Sequence, residues 1–205
     1  MALTEAQLIT ETRSVLNEAT AAFYSDAQIT QWLRQGARDI ALKTRCFEAD
    51  ATIAVVASTL TYAFPTDAFW IHSVFNATTG ISLTKIDPHK MGHIVDSATA
   101  AVPLYWFAFN DKVYLTPLAS GSSTLTLLYA KTTETVTDIP DEYRIELINY
   151  AVSRALIRNQ QAIEALAVMN IYNNHVQFAR RDVLERGVTA IDEITIPDTK
   201  VRVTQ

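Results

Sequence analysis

Cysteine is almost absent from this chain, and the one residue, Cys46, allows no internal disulfide and no CxxC pair for zinc. That usage suits assembly in a reducing cytoplasm. Glycine is scarce too: five in 205 residues disfavour folds built on tight glycine turns, and no spacing matches the phosphate-cradling GxxxxGK or GxGxxG loops. This argues against nucleotide binding. Positive charge is in deficit, with 17 Lys and Arg against 22 Asp and Glu and a net charge of −5. Non-specific nucleic-acid affinity comes mainly from Lys and Arg displacing counterions, so DNA could pass this chain without being gripped. No stretch of about 18 apolar residues could span a membrane, and MALTEAQLIT lacks the basic region and apolar core of a signal peptide. A soluble, unexported product is expected. No internal repeat, charge run or low-complexity linker divides the sequence.

What is present is ordinary for a globular protein: 49% hydrophobic and 19% charged residues. A chain of this length buries roughly 70% of its unfolded surface, enough for an ample core. Thr4 with Gln7, and Ser25 with Gln28, have the spacing of capping boxes, predicting helices from Leu3 to about Asn17 and from Ser25 onward. In the second, Ile29, Leu33, Gly36 and Ile40 recur at helical steps, while Gln31, Arg34, Gln35 and Arg38 form a polar side for solvent or another subunit.

From about Glu48 the period changes. ATIAVVAST, LTYAF, FWIHSVFNA, ISLTKI, PLYWFAF, KVYLTPL and STLTLLYAK are short runs rich in β-branched and aromatic residues, broken at Pro65 to Ala68 and at Thr78 to Gly80. Asn110-Asp111 between two of them reads as a hairpin turn, and Pro88 to Val95 as a short helical piece. The expectation is an insert of five or more antiparallel strands over residues 48 to 132. Strand alternation sends Tyr105, Phe107 and Phe109 one way and Trp106 the other, which offers Trp106 to a partner.

Helical signals return at TDIPDEYRIELINY, with Thr137 or Asp138 as cap and Pro140 in the first turn. Apolar residues run nearly all round from Ile145 to Ile157, predicting a central helix buried on several sides. After a break at Asn159 to Gln161, Ala162, Leu166, Met169, Tyr172, Val176, Ala179 and Val183 form an apolar stripe, and Gly187 is a natural stop. Arg180, Arg181 and Arg186 complement the negative end of that helix, a channel-facing or intersubunit role being the alternative. Residues 188 to 205 alternate like a strand without a neighbouring partner, so they read as an extended arm. The fold class is α+β, with helical pairs at 1–47 and 133–187 forming one four-helix body around the β insert.

Chemistry is sparse. His89 and His93 stand at i and i+4, with Asp87 or Asp96 as a third metal ligand, which would suit a small metal-dependent hydrolase; no glutamate occupies the HExxH position, and a solvated helix is the plainer reading. His72 lies in an aromatic strand without a Ser or Cys nucleophile motif. The basic Lys43-Thr44-Arg45 stretch could lower the pKa of Cys46, although packing is the commoner role. Asp141 with Glu142, and Asp192 with Glu193, fit capping and solvation better than acid–base work. No catalytic set, cofactor or metal is expected.

Laid in order, TEAQLITETRSVLNEA, YSDAQITQWLRQGARDIALKTRCF, STLTYAFPTDAFWIHSV and IPDEYRIELINYAVSRALIRNQQAIEALAVMNIYNNHVQFARRDVLERG resemble the head-to-tail adaptor proteins of tailed phages, over nearly the whole chain. The resemblance implies a structural virion protein of the neck, made in the host cytoplasm and without enzymatic activity. It implies a homo-oligomeric ring, commonly twelvefold, below the portal. Genomic DNA passes through the channel, and the insert faces the tail nozzle or fibres, where Trp106 would make contact. The arm would reach the portal through Ile194, Ile196, Val201, Arg202 and Val203, whose apolar members gain strand partners or grooves there. Alternatives are another neck or tail structural protein, the His89/His93 hydrolase, or a free-standing β binding module.

Overall fold

The computed structural model describes residues 4–18, 20, 21, 23–87 and 100–192, with side chains through Arg181 and at Val183. Four helices form a body: α1 (Glu5–Val15), α2 (Asp26–Thr44), α3 (Arg144–Arg158) and α4 (Ala162–Asp192). Thr4 and Ser25 cap α1 and α2, each side-chain oxygen accepting the N–H three residues on while Gln7 and Gln28 return the bond. These reciprocal bonds satisfy amides that would otherwise lack a partner at each helix start. Helix α2 ends at Arg45 in the left-handed conformation, φ 58°, which turns the chain into the first strand.

The body's core is filled by Leu8 of α1, Ile29, Leu33, Ala37 and Ile40 of α2, Leu147, Ala151 and Ala155 of α3, and Tyr172 and Val176 of α4. α3 packs against the other three helices, so it is central. Gly36 lets it approach: a Cβ there would stand 3.1 Å from the Tyr150 ring. Polar bonds tie the layers across large sequence distances. The Tyr24 hydroxyl donates to the Ala155 carbonyl at 2.8 Å, the Tyr172 hydroxyl donates to Asp39, and Arg144 pairs with Glu11.

Between the helical pairs lie seven strands: β1 (Glu48–Val55), β2 (Thr61–Ala63), β3 (Ala68–Asn76), β4 (Thr84–Lys85), β5 (Tyr105–Phe109), β6 (Lys112–Thr116) and β7 (Ser123–Lys131). They form a three-stranded sheet, β1-β7-β3, and a four-stranded one, β2-β6-β5-β4. Both contribute to one core, with Val55, Val74 and Leu127 from the first and Trp106, Val113 and Leu115 from the second. β5 and β6 form the hairpin predicted at Asn110-Asp111, both residues at positive φ as a two-residue primed turn demands. At the other turn Gly80 takes φ 71° and the Asn76 side chain accepts from the Thr78 and Thr79 amides.

Five sequence readings need correcting. The insert is not wholly antiparallel, because β4 runs parallel to β5. Neither Thr137 nor Asp138 caps α3: Asp138 accepts from the Thr133 hydroxyl at 2.9 Å, and a 3-10 turn at Asp141–Tyr143 delays the α-helix to Arg144. Ile145 and Ile157 on α3 are 62% and 52% exposed, so its burial is not all-round. The stripe on α4 holds from Met169 through Tyr172, Val176 and Ala179 but not at its start, where Ala162 and Leu166 are exposed and Ala165 is buried instead. Gly187 does not stop α4, which continues to Asp192. A glycine ends a helix only by entering the left-handed region, and left helical it costs about 1 kcal/mol relative to alanine. The short helix expected at Pro88 to Val95 lies outside the described residues.

Candidate assembly surfaces

The longest helix leaves its outer side apolar. On α4 Ile163 is 84%, Leu166 66%, Ile171 50% and Phe178 62% exposed, opposite the flank that packs on α2 and α3. Ile163, Ile171 and Phe178 follow at steps of eight and seven residues, close to two turns each, so they share one side. A row of large apolar side chains in water marks an association surface more often than scattered single exposures do. The sequence held the signal, since these three fall outside the core stripe yet keep helical register with each other.

Arg180 and Arg181 are exposed on the same helix, Arg181 lying 5.9 Å from the Phe178 ring centroid. Arg186 is within α4, and its side chain is not among those described. The structure therefore sets Arg181 beside the apolar row, while Arg180, two residues on from Phe178, is exposed on another side of α4.

Trp106 is not offered to a partner. It is 1% exposed, in the shared core of the two sheets, and Phe107 on the opposite face is also buried, stacked on Tyr114 at 4.5 Å between ring centroids. The alternation was read correctly, but both faces of β5 are covered at its middle, so its orientation could not tell core from surface. The exposed rings of the hairpin are Tyr105 and Phe109, at 37% and 61%.

Trp70 on β3 has two cations over its ring, Arg45 at 3.9 Å and Lys85 at 4.5 Å from the centroid. Burial pushes the Lys85 ammonium down from its ordinary pKa, and Arg45 adds to the effect. His72 is pushed down by burial and by Arg45 and Lys85, against the pull of Glu48. His72 itself is exposed on β3. Burial pushes the Cys46 thiol up, so the neighbouring basic residues do not activate it.

His89, His93, Asp96 and the arm residues Ile194, Ile196, Val201, Arg202 and Val203 lie outside the described residues. Among those described, no group of three His, Cys, Asp or Glu side chains could hold a metal ion, and no helix is long and apolar enough to cross a membrane.

No curated protein matches the chain. A family model does, that of the SU10 adaptor protein, over residues 3–190, which takes in both sheets and the four helices but for the last two residues of α4. The chain belongs to the SU10 adaptor protein family, a family of phage head-to-tail adaptors.

Proposed function

We propose that the chain assembles into a ring below the portal of a tailed phage, connects capsid to tail and lines part of the DNA channel. The observation that carries this reading is the exposed apolar row of α4 in a chain of an adaptor family. Fully burying one such side chain contributes about 1.5–3 kcal/mol, so three or four of them in each subunit contact offset a large part of the cost of association, about 4–15 kcal/mol. The helical body forms the wall, and the hairpin, with Phe109 exposed at its tip and Tyr105 at its open end, faces the tail nozzle or fibres. An acidic chain lets the genome slide, since few cations hold its phosphates. The role is structural, with no enzymatic step.

Two results test it. Replacing Ile163 and Phe178 together by aspartate is expected to leave the far-UV circular dichroism and melting temperature of the monomer nearly unchanged, because both are exposed. Rings seen by negative-stain microscopy of the parent chain with the portal should disappear. Intact rings from the double variant would remove α4 from the interface.

The arm is tested separately. Since α4 continues to Asp192, the deletion is placed at residues 193–205. It is expected to leave a folded chain that no longer co-sediments with portal, and undiminished co-sedimentation would rule out the arm as the portal contact.

A further inference from the structure

Next to the apolar row, α3, the 3-10 turn before it and α4 line an open cavity of about 270 Å³ whose wall includes Glu142, Glu146, His175 and Phe178. Glu146 is 9% exposed. One carboxylate oxygen, Oε1, is 3.1 Å from His175 Nδ1; the other, Oε2, is buried with no hydrogen-bond partner. Glu142 stands one turn earlier at i−4, adding a second carboxylate to the same wall. Among the described residues neither Glu142 nor Glu146 has a lysine or arginine partner, and Arg181 lies against Phe178 instead. A buried acceptor left unpaired is costly, and costlier beside a like charge, so the site is built for a cation that this protomer does not supply.

The geometry points to an arginine side chain of a second copy of this chain entering this cavity, an inference that rests on the ring reading above. A bare metal ion fits poorly, because the described carboxylate and imidazole groups do not converge as a ligand set of three. A guanidinium suits all three features. Its paired N–H groups can donate in parallel to both oxygens of Glu146, where His175 engages only one. The His175 side chain is 49% exposed, so it can swing aside as the fork arrives. The Phe178 ring at the wall offers a face to the planar cation. Charge complementarity also selects this occupant, since Arg154, Arg158 and Arg180 are exposed on the same two helices and have no carboxylate partner among the described residues.

The experiment has two arms on the full chain. Arginine amide is titrated into the monomer while the His175 ring resonances are followed by NMR, with lysine amide and sodium chloride as controls. Saturable shifts with arginine amide are expected, at least threefold weaker with lysine amide and absent with salt, and at least tenfold weaker in Glu146→Gln. In the second arm, mass photometry follows ring formation: Glu146→Gln, shown folded by circular dichroism, should need at least tenfold more protein to assemble. Equal shifts from arginine amide, lysine amide and salt overturn the proposal, and so do rings from the folded variant at the parent concentration, which would leave the ring reading standing. A parent chain that stays monomeric even with portal present overturns the ring reading, and the second copy as occupant with it, whatever the NMR arm shows. Should Glu146→Gln fail to fold, Glu142→Gln, at an exposed position, replaces it in both arms with a smaller expected loss of at least threefold.

Discussion

Replacing Trp106 by alanine is expected to destabilise the protein by about 3–5 kcal/mol, the range for removing a buried Trp or Phe side chain. Trp106 is 1% exposed and sits on β5 directly opposite Leu115 of β6, within the core that both sheets build. Its carbonyl also accepts the Ile86 amide at 2.9 Å, tying the segment beside β4 to the same strand. Removing the indole leaves a cavity between two sheets whose backbones are fixed by their ladders and can relax only partly. Urea unfolding followed by circular dichroism measures the loss. Trp106→Phe should cost less, because most of the volume is kept. Phe109→Ala, at a position 61% exposed, should change stability by no more than about 0.5 kcal/mol. A Trp106→Ala variant with parental stability but impaired tail docking would restore the partner-facing assignment.

What could be read from the sequence was what depends on short spacings. Both capping boxes use a residue and its third neighbour, and the hairpin turn uses two adjacent residues that tolerate positive φ. The α2 core face was equally legible, because Ile29, Leu33, Gly36 and Ile40 fall on its buried side while Gln31, Arg34, Gln35 and Arg38 are exposed. Legibility failed where a segment meets two environments. α4 carries one apolar side toward the core and another outward, so a single stripe drawn through it mixed Leu166, exposed, with Tyr172, buried. At β5 alternation told which residues share a face but not that both faces are covered.

The candidate site was hidden for a different reason. Glu146 and His175 are 29 residues apart on separate helices, and their pairing follows from how α3 and α4 cross. A glutamate beside the buried Leu147 was nevertheless a signal, since an acid at a buried position requires a partner. The same helix gave its start away only in part: Pro140 precedes a 3-10 turn, and that turn, not a side-chain cap, leads into α3. The two misreadings share a cause, because both positions are governed by contacts with other elements more than by their immediate neighbours.

Arg13→Ala should be the most damaging change in the helical body outside its apolar core, lowering stability by about 3 kcal/mol. The residue is 6% exposed, on α1, with its guanidinium in the link that carries the chain to α2. Nε and Nη2 both donate to Asp26 Oδ1, at 3.1 and 2.6 Å; Nη2 also donates to the Tyr24 carbonyl at 2.8 Å, and Nη1 lies 3.6 Å from Glu18 Oε1. Glu18 in turn accepts the Phe23 and Tyr24 amides, so one guanidinium organises both sides of the turn. Asp26 occupies the first position of α2, and Tyr24 reaches from this turn to the end of α3. Loss of the cation therefore leaves the Tyr24 carbonyl short of its donor and the largely buried Glu18 carboxylate without its neighbouring cation, and loosens the seat of Tyr24. Lysine should restore little, because an ammonium cannot bond Asp26, Glu18 and the Tyr24 carbonyl from one plane. Thermal unfolding of the alanine and lysine variants measures both effects. If lysine restores parental stability, the charge alone matters and the fork geometry does not.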